Sequence, residues 1–391
     1  MLTCTQILSK YVDVLFPVQS ASSSGTITPS PGEGLKVLGR GVKELVQAVQ
    51  NLRHLGIEKL VLPLPKIVVV GDQSTGKSSL IEGMSEIKVP RSSGTCTRCP
   101  LEINLTESTE VDGEWSCAVS LVHKYVYAGN LGKKAVLGKT ASKAEGATVQ
   151  RPLGPWDPKD GSEDLPFAFI TSKDEVVDAL ERAQLAILNP SSSYEKYKPG
   201  NPIIVRTNQV KFSPNIIRLN ISGPGLPNLS FYDLPGVINV SEVPEEAYLV
   251  DLVRNLVKEY IQAEDCINLL ALTMTDDPAN SSAFSLVKKV KAEGRTVGCL
   301  TKPDRMQEGE SLEQWTQILG GERFHLGFGY HIIKNNPDAR VDHVTARREE
   351  HTFFNSNEPW TTTLSVYSGR FGTLLLQSAL SERLTAQIRR R

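Results

Sequence analysis

Eight consecutive residues, Gly71-Asp-Gln-Ser-Thr-Gly-Lys-Ser78, carry the clearest chemical signal in the chain. Their spacing, G-x-x-x-x-G-K-S/T, suits the capture of phosphate. Gly71 and Gly76 let main-chain N–H groups turn inward around phosphate oxygens. Lys77 supplies a point charge near the β and γ phosphates, and Ser78 offers its hydroxyl to Mg²⁺. Asp72, Gln73, Ser74 and Thr75 fill the loop, and Ser79 follows in the first helical turn; all five count as nucleotide contacts. A helix opening near Lys77 would point its positive end at the anion.

Two later segments extend this chemistry. In Asp233-Leu-Pro-Gly236, an acid at a strand end can hold Mg²⁺ through water, as a Walker-B aspartate does. Gly236 would free a main-chain N–H to sense the γ-phosphate. In Thr301-Lys-Pro-Asp304, the Asp304 carboxylate can accept from guanine's ring N–H and exocyclic amine together. Adenine offers no such pair of donors and would be rejected. Lys302 can lay its stem along the base. Ras-type enzymes orient the attacking water with a Gln directly after the D-x-x-G glycine, but Val237 stands there. Gln73, inside the phosphate loop, is the candidate for that task. Cys96-Thr-Arg-Cys99 could in principle bind zinc or cycle as a thiol pair. No second Cys or His pair stands at ligand spacing nearby, so neither role is assigned.

These motifs need a scaffold. Lys66–Val70, β-branched and uncharged after its first residue, reads as a central strand covered on both faces. Leu101–Leu105, Ile216–Ile221, Leu229–Tyr232, Cys266–Leu272, Thr296–Leu300 and Tyr330–Ile333 read as further strands. Leu249, Leu252, Val253, Leu256 and Ile261 mark one helix; Ala283, Leu286, Val287 and Val290 mark another. Alternating strands and helices predict an α/β fold with a largely parallel sheet. Residues 131–164, rich in Gly, Lys and Pro, read as an insertion or mobile loop. The chain has 391 residues, 43 Lys plus Arg against 44 Asp plus Glu, and 40% apolar residues. That balance argues against nucleic-acid binding. Apolar runs are strand-length, too short for a transmembrane helix. The N-terminus lacks a secretory signature, and six cysteines in this length fit a reducing compartment.

With the motifs in order, the chain resembles the GTPase domain of the dynamin superfamily, in particular its dynamin-like and Mx-like members. The carriers are Leu64–Ser79, Pro90–Pro100, Asp233–Gly236, Asp277–Asn280 and Thr301–Asp304. The resemblance implies a P-loop NTPase fold that hydrolyses GTP with Mg²⁺. It makes Thr97 the first-switch threonine, giving its hydroxyl to Mg²⁺ and helping to hold the water, with Arg91 and Gly94 among the nucleotide contacts of that segment. It gives Gln73 the water-positioning role. Ser74 and carbonyls near Gly94 would hold a monovalent cation, Na⁺ or K⁺, although Ser92 stands where the family often has glycine. Asp277 would meet the nucleotide of a facing domain, which implies a self-dimer that speeds hydrolysis; Pro278 replaces the usual aliphatic residue. The last base-binding loop should follow Ile333, with Lys334 and Asn335 fitting and Asn336-Pro337 departing from the family run. In the family such domains serve membrane remodelling or trafficking, so a cytoplasmic protein, peripheral at membranes, is the expectation.

The resulting map has a disordered tail over 1–35, a bundle helix over 36–58 and a GTPase domain over 59–370. Val42, Leu45, Val46, Val49 and Leu52 form one apolar face in the first helix. Residues 371–391 begin a second bundle helix, with Leu374, Leu375, Leu376, Leu380, Leu384 and Ile388 on it. Both ends would contribute to a partial helical bundle that, in the family, leads to a stalk. The chain leaves no room for that stalk, so the expectation is a GTPase module that meets helical partners from elsewhere, or a nucleotide-dependent switch with little turnover.

Overall fold

The computed structural model describes residues 66–89, 97–108, 114–129, 146–203, 207–224, 226, 229–241, 244–306, 312–338 and 340–389. The Val42–Leu52 helix, the N-terminal tail, Arg91, Ser92, Gly94 and Cys96 lie outside them.

Among the described residues nine strands form one sheet: β1 (Lys66–Gly71), β2 (Leu101–Glu107), β3 (Ser116–Tyr127), β4 (Trp156–Ile170), β5 (Ile216–Gly223), β6 (Leu229–Asp233), β7 (Cys266–Thr273), β8 (Thr296–Thr301) and β9 (Tyr330–Ile332). Their order is β4-β3-β5-β2-β6-β1-β7-β8-β9. The block β6-β1-β7-β8-β9 is parallel throughout. β2 runs antiparallel to β6, and the β3–β4 hairpin closes the other edge. The fold is therefore the expected α/β arrangement with a mostly parallel sheet.

Period-two alternation explains the two layers. Along β1, Ile67 and Val69 enter one apolar cluster and Val68 and Val70 the other. The first cluster takes in α1 (Lys77–Ser85), α2 (Val176–Ile187) and α7 (Thr373–Arg389). The second takes in α3 (Tyr248–Ile261), α4 (Ser282–Lys289), α5 (Glu313–Gly320) and α6 (His343–Ser356). A strand buried on both faces has no polar side to display, which is why β1, β6, β7 and β8 read as continuous apolar runs.

The pairing register sets the position of the site. Val69 lies beside Asp233, Gly71 beside Ala271, and Thr273 beside Thr301. Four loops thus leave the sheet at one edge, the carboxyl ends of parallel strands, where α/β proteins bind ligands. Because β2 is antiparallel and Leu101 pairs with Asp233, the segment entering β2 reaches the same edge.

Two expectations change. The insertion over 131–164 ends earlier than its composition suggests: Trp156–Ile170 is β4, the outermost strand. Its Pro158, Pro166, Gly161 and charges suit an edge that must not pair further. The leucines of α7, expected on a bundle helix that meets partners from elsewhere, pack largely within this domain. Leu376, Leu380 and Leu384 are fully buried in the cluster that holds Met84 and Ile333. Among the described residues no helix is long and apolar enough to cross a membrane. Truncating Leu380 to Ala should cost about 3 kcal/mol of stability, by lost transfer energy and the cavity left behind; urea unfolding checks this, and a midpoint equal to wild type would mean α7 is not docked.

Candidate functional site

β1 delivers the chain into the phosphate loop, and α1 leaves it. The turn needs two left-handed backbone positions, Ser74 at φ 64° and Gly76 at φ 86°. Gly71 is required by space rather than angle: a Cβ there would lie 2.6 Å from Thr75 Oγ1 and 2.7 Å from the Ala271 carbonyl oxygen. Lys77 Nζ donates to the Asp72 carbonyl at 2.8 Å, and Thr75 Oγ1 donates to the same oxygen at 2.9 Å. Gly236 packs onto the loop so closely that a Cβ would come 2.9 Å from both Gln73 Cα and Lys77 Nζ. Beside it, Val237 bridges to Asp72, with its N–H donating to the Gly71 carbonyl at 3.1 Å and its carbonyl accepting from Gln73 N–H at 3.3 Å. The D-x-x-G segment is thus zipped onto the phosphate loop.

Three side chains far apart in sequence converge next to it. Thr97 Oγ1 donates to Asp233 Oδ2 at 2.8 Å, Ser78 Oγ donates to the same oxygen at 3.2 Å, and the two hydroxyls lie 3.3 Å apart. The other carboxylate oxygen, Asp233 Oδ1, is buried and has no hydrogen-bond partner among the described residues. Burial raises the Asp233 carboxyl above its ordinary range, against the pull of Lys77 and of the hydrogen bonds from Thr97 and Ser78. Hydroxyls and a carboxylate with an unused oxygen are the hard donor set that Mg²⁺ takes. Nearby Cys99 is buried, and its thiol is pushed up to about 12 by burial and then by the Asp233 charge, so it is no thiolate.

The segment Thr301–Asp304 is fastened to the loop as well. Thr301 Oγ1 donates to the Thr75 carbonyl at 2.7 Å. Lys302, at φ 57°, sends Nζ to the Ser74 carbonyl at 2.6 Å. Partial burial lowers the Lys302 pKa, and neighbouring Arg305 lowers it further. Asp304 stands exposed at the rim, in the short helical turn Pro303–Arg305. Asn335, in the loop after β9, faces a cleft beside α1: its Oδ1 lies 3.3 Å from where a Gly83 Cβ would be. Ser79 lines that cleft too.

The sequence profile of the dynamin family matches residues 67–303, more than half of the chain. The chain belongs to the dynamin family. Among curated relatives, the interferon-induced GTP-binding protein Mx of Dicentrarchus labrax is 28% identical over 321 residues, covering 81% of this chain and 40% of the relative. The interferon-induced GTP-binding proteins Mx1 of Equus caballus and Mx2 of Mus musculus are each 28% identical over 352 residues, covering 89% of this chain and 43% of the relative. The chain therefore spans about two fifths of the length of these relatives.

Within this dynamin-family domain, one residue does more than its motif position suggested. Asp72, grouped with the nucleotide contacts, turns its carboxylate toward the amino end of α4. Oδ2 accepts from Ser281 Oγ at 2.6 Å and Oδ1 from Ala283 N–H at 3.0 Å. Ser281 in turn caps α4 by accepting from Phe284 N–H at 3.1 Å. Asp277 sits just upstream, exposed, its own Oδ1 accepting from Ala279 N–H at 2.9 Å. Ser282 Oγ reaches Asn239 Oδ1 in the segment after Val237 at 2.5 Å. Sequence reasoning could not find these links, because Asp72 and Ser281 are 209 residues apart.

A carboxyl whose pKa is raised by folding penalises the fold as pH climbs above its ordinary value, where the unfolded chain is already ionised. Asp233→Asn removes that buried charge while keeping an acceptor for Thr97. The variant should be more stable by roughly 1 kcal/mol. Thermal unfolding checks this; a variant less stable than wild type would contradict this electrostatic reading.

Proposed function

We propose that the protein is a GTPase, cleaving the bond between the β and γ phosphates of GTP to give GDP and phosphate by in-line attack of water. The observation that carries this reading is the cluster of Ser78, Thr97 and Asp233, with one orphaned carboxylate oxygen, directly beside a phosphate loop to which the guanine-type segment is tied. Mx relatives named as GTP-binding proteins support it.

Each residue then has a task. Main-chain N–H groups at the amino end of α1 and the Lys77 ammonium cradle the phosphates and meet charge that develops as the bond breaks. Ser78, Thr97 and, through water, Asp233 would hold Mg²⁺, which when bound supplies charge neutralisation between the β and γ phosphates. Gly236, pressed against Gln73 and Lys77, offers an N–H to the γ-phosphate. Gln73 orients the attacking water. Asp304 reads guanine, with Lys302 along the base and Asn335 from the opposite loop. Catalysis in such a site is positioning plus electrostatics, with no covalent intermediate on the protein. The exposed Asp277 edge is the face a second copy would meet, and the family's association with membranes would act through helical elements beyond this domain.

Lys77→Ala should abolish nucleotide binding or turnover. Gln73→Ala should leave GTP affinity within about twofold and slow the chemical step by roughly 10²-fold, the size of one lost water-orienting or proton-transfer contact. Phosphate release at saturating GTP, set beside binding of a fluorescent GTP analogue, measures both. Normal hydrolysis by Lys77→Ala would sink the assignment; unchanged turnover by Gln73→Ala would move the water to another residue.

A further inference from the structure

A second buried carboxylate lies on the far side of the base loop, outside the chemistry above. Glu350, on α6, is 5% exposed and has both oxygens engaged. Oε1 accepts from the main-chain N–H of Lys334, in the loop after β9, at 2.9 Å. Oε2 accepts from the main-chain N–H of Thr373, the first residue of α7, at 2.9 Å, and Thr373 Oγ1 returns to Oε1 at 3.1 Å. One carboxylate therefore fixes the main chain of two elements: the loop that carries Asn335 and the amino end of the C-terminal helix.

The surroundings reinforce this junction. Phe371 bridges to Ile332 at the end of β9, and Gly372 N–H donates to the Ile332 carbonyl at 2.8 Å. Gly372 adopts φ 92°, and a Cβ there would lie 3.6 Å from Glu350 Oε2, so the approach to α7 is shaped around the carboxylate. One turn earlier on α6, Arg347 donates to the Gly83 carbonyl near the end of α1 at 2.7 Å and to Gln377 Oε1 on α7 at 3.2 Å. Gln377 Nε2 donates to the Met84 carbonyl at 2.9 Å. The helix that leaves the phosphate loop, the base loop and the C-terminal helix thus meet on two buried side chains of α6. Nothing in the reaction proposed above requires either of them.

We propose that Glu350 is the positioning residue of the base loop, and that by holding Lys334 and Thr373 on one carboxylate it links occupancy of the guanine site to docking of α7. This rests on the reading of the loop after Ile333 as base-binding. Linkage is reciprocal: if a seated base orders the loop, it strengthens the hold on α7, and loosening α7 weakens the base site by the same factor.

The test compares wild type with Glu350→Gln, which keeps the volume but sets an amide NH₂ against one of the N–H donors. Leaving a buried donor unsatisfied is expected to raise the dissociation constant for a fluorescent GTP analogue roughly tenfold, with the rate at saturating GTP largely kept. Hydrogen exchange in α7 should slow when GTP binds wild type, and that response should vanish in the variant. A purely structural brace would lower the melting temperature while leaving the affinity and the exchange response alone. A folded Glu350→Gln that binds GTP as tightly as wild type, or a wild-type α7 indifferent to GTP, overturns the proposal. If Glu350→Gln does not fold, Thr373→Pro decides. It deletes one of the two main-chain donors at a first-turn position where proline is tolerated; weakened GTP binding supports the proposal, and unchanged binding overturns it. Wild type that binds no GTP at all would remove the functional reading and this inference together, whereas an effect missing only from the variants removes the inference alone.

Discussion

A phosphate loop cannot keep its shape unaided. Main-chain donors turned toward a ligand cannot all pair within the loop, and two of its residues occupy left-handed backbone positions. In this protein the strain is held by neighbours that grip the loop's carbonyl oxygens instead. Thr301 takes Thr75, Lys302 takes Ser74, and Lys77 folds back on Asp72. Val237 pairs with Gly71 and Gln73 on the remaining side. The carbonyls of Gly71, Asp72, Ser74 and Thr75 accept from protein donors, while Gln73 N–H pairs with Val237 and Thr75 N–H with Asp72, so an anion would meet the amino end of α1. The segments that would read the base and sense the last phosphate are the same ones that brace the loop, so binding geometry and scaffold geometry are one constraint.

Charge burial follows from that arrangement. Asp233 is driven into the protein at the end of β6 because its strand is buried on both faces. Two hydroxyls offset part of the cost through a single oxygen, and the other oxygen stays unmatched. An uncompensated carboxylate oxygen is an expense a stability-driven sequence would avoid, and functional sites are where such expenses collect. Glu350 is the contrast. It is as deeply buried, but both its oxygens are matched, and its burial serves the geometry of two main-chain segments.

Much of this was legible beforehand, for physical reasons. β1, β6, β7 and β8 are covered on both faces and announce themselves as apolar runs; the phosphate loop has fixed spacing because its glycines meet hard steric limits. The β3–β4 hairpin was not legible. β4 mixes Pro158, Gly161 and Pro166 with acidic and basic residues, as an outer edge should, and so imitates a loop. On α6, Arg347 and Glu350 stand three apart in a polar helix, the pattern of a solvated face, yet both are buried against elements supplied from elsewhere in the chain. Contacts such as Asp72 with Ser281 depend on how strands are ordered in the sheet, and local periodicity carries no record of that order.

The central claim is that this edge of the sheet grips a guanine nucleotide by its phosphates and selects the base. Titration calorimetry of the purified protein with GTP and with ATP, each with Mg²⁺, tests it directly. The account predicts one GTP bound per chain, with ATP weaker by at least about 10²-fold because Asp304 would lose both its donors. Equal affinity for the two nucleotides, or no heat from either, would contradict it.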